Sequence, residues 1–290
     1  MNTLQTVTLA DSNYPPLLKQ LPQPPQQLYY AGDWTCTATP AIAVVGSRAM
    51  TDYGRRACTE LVTGLVQYGF TIVSGLATGI DAVAHRTALT HAGKTIAVLA
   101  NGLHPNRMFP TEHQSLAEHI VTAQGLLLSE YEPAVPARRH HFLARNRIIA
   151  GLSLGTIVIE ARAKSGALMT AHYAMDYNRE VFAVPGSIFS SRSAGTHHLI
   201  QYGAKLVYQL DDIISELGIN PIAQLASPAL QLSINQQAII QAITAGDNRL
   251  EDIIQNTQQS TPEIMHHLTE LEITGIVRRN IDSSYEISYR

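Results

Sequence analysis

The sequence predicts an α/β protein: a doubly wound, mostly parallel sheet followed by a small winged-helix-like unit. Three observations carry this. Apolar runs recur at 42–45 (IAVV), 71–73 (TIV), 95–99 (TIAVL), 126–128 (LLL), 156–159 (TIVI) and 181–184 (VFAV). They are short, continuous and rich in valine and isoleucine, as strands buried on both faces of a parallel sheet must be. Helical stretches near 51–68, 79–92, 111–123, 144–153 and 167–178 alternate with them, and that alternation defines the doubly wound class. Beyond residue 235 the pattern changes to three short helices, at 235–244, 249–256 and 261–273, and two strands around a polar turn in IVRRNIDSSYEIS.

The segments follow in order. Residues 1–40 hold the clusters Tyr14-Pro15-Pro16 and Pro22-Gln23-Pro24-Pro25. They read as a short helix from Leu17 to Leu21 and an extended lead-in that wraps the next domain. Residues 41–210 form the main domain. Residues 211–235, with two prolines and a weak helical pattern, read as a linker, and 236–290 as the small C-terminal domain. There Thr261 is the expected N-cap, Pro262 the first helical residue and Gly275 the C-cap.

The formal net charge of −3 excludes a surface that attracts polyanions everywhere, so any nucleic-acid site is a local concentration of charge. Residues 1–225 hold 16 lysines and arginines against 15 acids, whereas residues 226–290 hold 4 against 8. The basic chemistry belongs to the large domain. Cys36 and Cys58 share no metal spacing, which points to a reducing, cytoplasmic setting. The N-terminus lacks the pattern of a signal peptide, and no apolar run reaches the length of a membrane span.

In a doubly wound sheet ligands bind beyond the carboxyl ends of the strands, so the turns there are the candidates. Gly46-Ser47-Arg48 joins a strand to a helix; its N–H groups and the Arg48 fork suit an anion, or Arg48 is a solvated surface residue. Ser74-Gly75-Leu76-Ala77-Thr78-Gly79 is small enough for a ligand to approach closely, with Asp81 as a cap or a ribose partner and His85 as a structural hydrogen-bonding group. Arg138 to Arg147 packs four arginines and two histidines into ten residues. Arg145 and Arg147 are expected at a helix start, where the dipole disfavours them unless an anion binds. One arginine is expected to pair inward with Glu130, Glu132 or Glu160 and the other to face the ligand. Phe142 either stacks on a base or completes the core. Lys164-Ser165-Gly166 suits a phosphate nest. There is no Walker lysine motif, G-x-G-x-x-G, H-E-x-x-H or G-x-S-x-G, and the histidines show no metal spacing. No cofactor or metal is expected.

The combination GSR (46–48), SGLATGIDAVAHRTAL (74–89), GKTIAVLANGL (93–103), LLSEY (127–131), RNRIIAGLS (145–153), EARAKSGALMTAHYA (160–174), VFAVPG (181–186) and HHLIQYGAKL (197–206) resembles the DprA/Smf family of bacterial DNA-processing proteins, in the right order and spacing. The resemblance implies an extended Rossmann-like fold, single-stranded DNA binding, dimerisation and help in loading the RecA recombinase onto incoming strands in natural transformation, with no defining catalytic activity. It assigns the DNA pocket to Ser47, Arg48, Phe142, Arg145, Asn146, Arg147, Ser165 and Gly166. Arg138 or Arg139 stands in for a lysine usual upstream of the phenylalanine, and Lys164 joins the last basic turn. Leu143 replaces a proline, and Phe109-Pro110 stands where Tyr-Pro is usual. Many members carry an N-terminal helical domain, for which the residues before the first motif leave no room. Dimerisation through the last strand and helices points to Met175, His197, Ile200 and Leu206.

The alternative is a nucleotide-binding or nucleotide-hydrolysing Rossmann-like enzyme using Glu130 or Glu160, against which stands the lack of a PGGxGT-type turn. Duplex reading by the small domain is disfavoured. Glu263 and Glu270 lie on its third helix, and residues 261–273 contain no lysine or arginine. A protein-contact role suits it better.

Overall fold

A nine-stranded sheet organises the larger of two units, Met1–Asn220 and Pro221–Arg290, in the computed structural model. The structure describes residues 4–218, 233–257, 259–273, 276–280 and 284–287. Across the sheet the strands run β1 (Gln5–Thr8), β2 (Gln27–Gly32), β6 (Leu126–Ser129), β5 (Thr95–Leu99), β4 (Thr71–Ser74), β3 (Ala41–Val45), β7 (Gly155–Val158), β8 (Glu180–Ala183) and β9 (Lys205–Leu206). From β6 to β9 every pairing is parallel, while β2 pairs antiparallel with β6 and with β1. All six apolar runs are therefore strands. β3, β4, β5, β6 and β7 are buried throughout, on both faces.

Alternate residues feed two layers. Ala41, Ala43, Val45, Ile96, Val98, Leu126 and Leu128 face α5 (Arg139–Gly151), α6 (Gly166–Asp176) and α7 (Ala194–Gln201). Ile42, Val44, Ile72, Ile157 and Phe182 face α2 (Asp52–Gln67), α3 (Ile80–Thr90) and α8 (Asp211–Leu217). Ala97, Leu99 and Leu127 continue that side under α4 (Gln114–Thr122).

Four expectations change. The lead-in is part of the sheet: β2 alternates inward with Leu28 and Tyr30, and Val7 of β1 is buried. Its proline and glutamine clusters obscure that period of two. The expected helix contracts to α1 (Pro16–Lys19). The main domain continues past residue 210, because Ile213 and Ile214 of α8 are buried in its core. Most of the expected linker, residues 219–232, lies outside the described residues. Finally, α5 begins at Arg139, so the basic cluster is itself helical, with Arg138 extended at the N-cap and no side-chain cap.

The smaller unit contains helices Ile234–Ala245, Leu250–Thr257 and Thr261–Ile273 and an antiparallel pair, Val277–Arg279 with Tyr285–Ile287. Ile239, Ile253, Ile264, Leu268 and Val277 form its core. Ser233 and Gln236 make a reciprocal capping box. The third helix starts one residue earlier than a Thr261 cap requires, with the Ser260 N–H (3.1 Å) and hydroxyl (2.6 Å) donating to Glu263. Gly275 lies outside the described residues.

His85 shows how tightly the main layer is closed. Its ring is fully buried, with Nδ1 2.7 Å from Thr95 Oγ1, and burial drives it down to about 3, the charges of Arg145 and His113 adding. The folded protein holds it neutral, whereas the unfolded chain takes up a proton below pH 6.5. The stability it contributes is complete above that value and is lost as pH falls toward 3. His85→Gln, which keeps a polar partner for Thr95, should reduce the acid-side slope by about 1.4 kcal/mol per pH unit. Urea unfolding at several pH values below neutrality measures it; an unchanged slope would sink the idea.

Candidate nucleic-acid interface

The chain runs from β3 outward through β4, β5 and β6, then returns to β7 on the other side of β3. That reversal opens a crevice between the β3 and β7 turns, the place where doubly wound sheets bind ligands. Ser47 and Arg48 stand on one side, Lys164, Ser165 and Gly166 on the other. Glu160 stitches the two turns, accepting from the Thr51 N–H (2.9 Å) and hydroxyl (2.5 Å). Thr51 in turn caps α2 by accepting from the Gly54 N–H at 3.1 Å.

Helix α5 closes the crevice. The exposed Arg48 guanidinium lies 5.4 Å from the centre of the Phe142 ring. Phe109, 47% exposed, meets Phe142 edge-on at 5.5 Å. One helical turn on, Asn146 Nδ2 donates to the Gly166 carbonyl at 3.2 Å. The exposed Gly166 opens α6 beside its cap, Ser165, which accepts from the Ala167 N–H at 3.3 Å. Ser47 Oγ accepts from the Ala49 N–H at 3.2 Å. Arg138, Arg139 and Lys164 are exposed on this edge. The dipole cost argued for Arg145 and Arg147 thus falls on Arg138 and Arg139, the residues at the helix start.

Arg145 and Arg147 lie deeper than expected, in the body of α5. Arg145 is 5% exposed; it donates to the Gly75 carbonyl at 2.6 Å, to the Val98 carbonyl, and through Nε to Asn146 Oδ1 at 3.0 Å. Burial pulls its guanidinium down to about 10, with Asp81 opposing and Arg48 adding to the fall. The Asp81 carboxyl accepts from the Gly75 (3.2 Å) and Ala77 (3.4 Å) N–H groups; burial pushes it up, and Arg145 pulls it back. Arg147 pairs with Glu130 and donates to the Gln23 carbonyl at 3.0 Å. Both arginines thus face protein groups, not one inward and one outward.

The small-residue turn after β4 is also filled from within. A Cβ on Gly75 would strike the Arg145 guanidinium, and one on Gly79, which has a φ of +78°, would strike the Ser47 and Arg48 carbonyls. These glycines admit protein rather than ligand: the Ile80 N–H reaches the Ser47 carbonyl at 3.2 Å and sets the Arg48 turn.

The four residues expected at an interface differ in exposure. β9 is the sheet's outer edge, with Leu206 40% exposed, and Met175 on α6 is 38% exposed. Ile200 is half-buried against the core. His197 turns inward, with Nε2 3.0 Å from the Gly186 carbonyl. Phe109 was not among the expected site residues; its signal was the Phe109-Pro110 pair standing where Tyr-Pro is usual in the family.

Fold and site together define a Rossmann-like α/β protein with a cationic, aromatic-lined mouth at its topological switch point. A family model described as DNA recombination-mediator protein A matches residues 5–218, and the chain belongs to that family, DprA/Smf. It is 44% identical to DNA processing protein DprA of Streptococcus pneumoniae over 72% of this chain and 73% of that one. Identity to Protein Smf of Synechocystis is 35%, over 97% of this chain and 80% of that one. The X-ray structure of the S. pneumoniae protein matches with a TM-score of 0.70 at 43% identity, covering 74% of this chain and 75% of that one. A Helicobacter pylori structure, described for its single-stranded DNA binding mode, matches with a TM-score of 0.65 at 33% identity, covering 73% of this chain and 95% of that one.

Proposed function

We propose that this protein binds single-stranded DNA in the crevice between the β3 and β7 turns, without base sequence preference. It acts as a non-catalytic mediator that protects incoming strands and helps load the RecA recombinase in natural transformation. The observation that carries the reading is Arg48 over the Phe142 ring: a phosphate partner and a base platform in one place. Arg138, Arg139 and Lys164 extend the cationic track, and Ser47, Ser165, Gly166 and Asn146 shape it. The H. pylori relative's binding mode supports the same ligand class.

Binding rather than hydrolysis is favoured because both carboxylates an enzyme would use are already engaged, Glu130 by Arg147 and Glu160 by Thr51. Arg145 and Arg147 act by holding α5 in place. The protein works in the cytoplasm as a homodimer, with Leu206 and Met175 at the interface and Ile200 and His197 supporting it from behind; among the described residues no helix is long and apolar enough to cross a membrane. The smaller unit serves protein contact, since Glu263 and Glu270 occupy its third helix.

Titration of single-stranded and duplex oligonucleotides at several salt concentrations tests this. Single strands should bind more tightly, with log affinity falling by about 0.7 per phosphate neutralised for each decade of salt, and light scattering should give twice the chain mass. Preference for duplex, or binding indifferent to salt, overturns the reading.

A further inference from the structure

Two of the most exposed apolar side chains of the large unit stand side by side on one loop, Ile188 at 81% and Phe189 at 93% exposure. The loop joins β8 to α7 at the same carboxyl edge of the sheet. It is held from several sides. Ser187 Oγ accepts from the Phe189 N–H at 3.2 Å, and the Ser190 and Ser193 N–H groups close successive turns at 3.0 Å. Arg192 Nε donates to the Ala49 carbonyl at 2.6 Å, beside Arg48, while the Ala161 N–H donates to the Arg192 carbonyl at 2.8 Å. The Tyr53 hydroxyl donates to the Pro185 carbonyl at 2.5 Å, and its half-exposed ring lies on the same side. The loop therefore displays Phe189 from a frame anchored to both turns of the crevice.

We propose that Phe189 is a second base-stacking station, taking the single strand as it leaves Phe142 and crosses the β3, β7 and β8 ends. This rests on the single-strand reading above. Charge favours the occupant: Arg48, Arg162 and Lys164 are exposed along that path. Glu160 is buried, and the exposed Asp52 is paired with Arg55 at 3.1 Å. From β3 to β8 is two strand spacings, about 10 Å, a reach of a few nucleotides. Alternating aromatic rings and cations along a groove hold single strands through stacking, which every base offers.

The test uses the full chain and homothymidine strands. Phe189→Trp adds a tryptophan to a protein that has one, Trp34, whose ring nitrogen is tied to the Asn13 carbonyl. Its emission, with the wild-type signal subtracted, should be quenched by long strands with the midpoint seen by anisotropy. Phe189→Ala should bind long strands about tenfold more weakly and strands too short to span the crevice as the wild type does. Unquenched emission while anisotropy reports binding overturns the proposal. Wild-type affinity of Phe189→Ala for both lengths does the same and leaves the loop to a protein partner. If the wild type itself binds no single strand, the underlying reading fails first and this one falls with it.

Discussion

Arg145→Met should destabilise the large unit by about 2–6 kcal/mol, the cost of leaving two buried carbonyls without their donor. The guanidinium donates to the Gly75 and Val98 carbonyls and through Nε to Asn146, and it favours the charged form of the buried Asp81 more than Arg48 does. Methionine fills much of the volume but donates nothing. Two buried carbonyls then lose a donor, each worth about 1–3 kcal/mol, and Asp81 keeps only its two backbone N–H partners. Arg145→Lys should recover only part of the loss, because one ammonium cannot reproduce a planar fork that reaches both carbonyls. Urea unfolding measures the difference. Arg48→Ala is the control: its side chain is exposed, so stability should change by no more than about 0.5 kcal/mol. A wild-type urea midpoint for Arg145→Met, combined with lost DNA affinity, would return Arg145 to the ligand and overturn the role given it here.

That contrast between two arginines marks how far the sequence could be read. The six central strands were legible because burial on both faces makes each a nearly continuous apolar run, with polar residues such as Thr71, Thr95, Ser129 and Thr156 only at or next to the ends. The turns at their ends were legible for the same reason, since strand ends are where polar and small residues resume. What the chain could not reveal is which way those residues point. Gly75 and Gly79 read as room for a ligand, yet the space beside them is taken by the Arg145 side chain and the Ser47–Arg48 backbone. One of Arg145 and Arg147 read as anion-facing because α5 was expected to start five residues late; moving its start to Arg139 buries Arg145 and leaves Arg147 paired with Glu130. Helix starts without a side-chain cap carry little sequence signal, and Arg138 offers none. β1 and β2 were hidden for a different reason: β1 is a four-residue edge strand with a single buried side chain, and the alternation of β2 is masked by the prolines at 22, 24 and 25 just before it.

Phe142→Ala should weaken single-strand binding by about 1–3 kcal/mol, the loss expected for one stacked base, which is roughly 5- to 150-fold in affinity. Arg48→Ala should weaken it too, but differently. Losing a phosphate contact lowers the slope of log affinity against log salt by about 0.7, so this deficit shrinks as salt rises. Stacking releases no counterions, so the Phe142→Ala deficit should persist at high salt. The two side chains touch, 5.4 Å from guanidinium to ring centre, and that predicts more than two separate losses. Phe142 orients the fork over its face, and the cation strengthens the ring's hold on a base above it. Removing either should spoil part of what the other does, so the double variant should fall short of the sum by about 0.5–1 kcal/mol. Anisotropy titrations of the four proteins at low and high salt complete the cycle, with urea midpoints confirming that each is folded. Strict additivity would mean that Arg48 and Phe142 meet the strand independently. A Phe142→Ala loss that vanished with salt would mean that the ring only props up the arginine and touches no base.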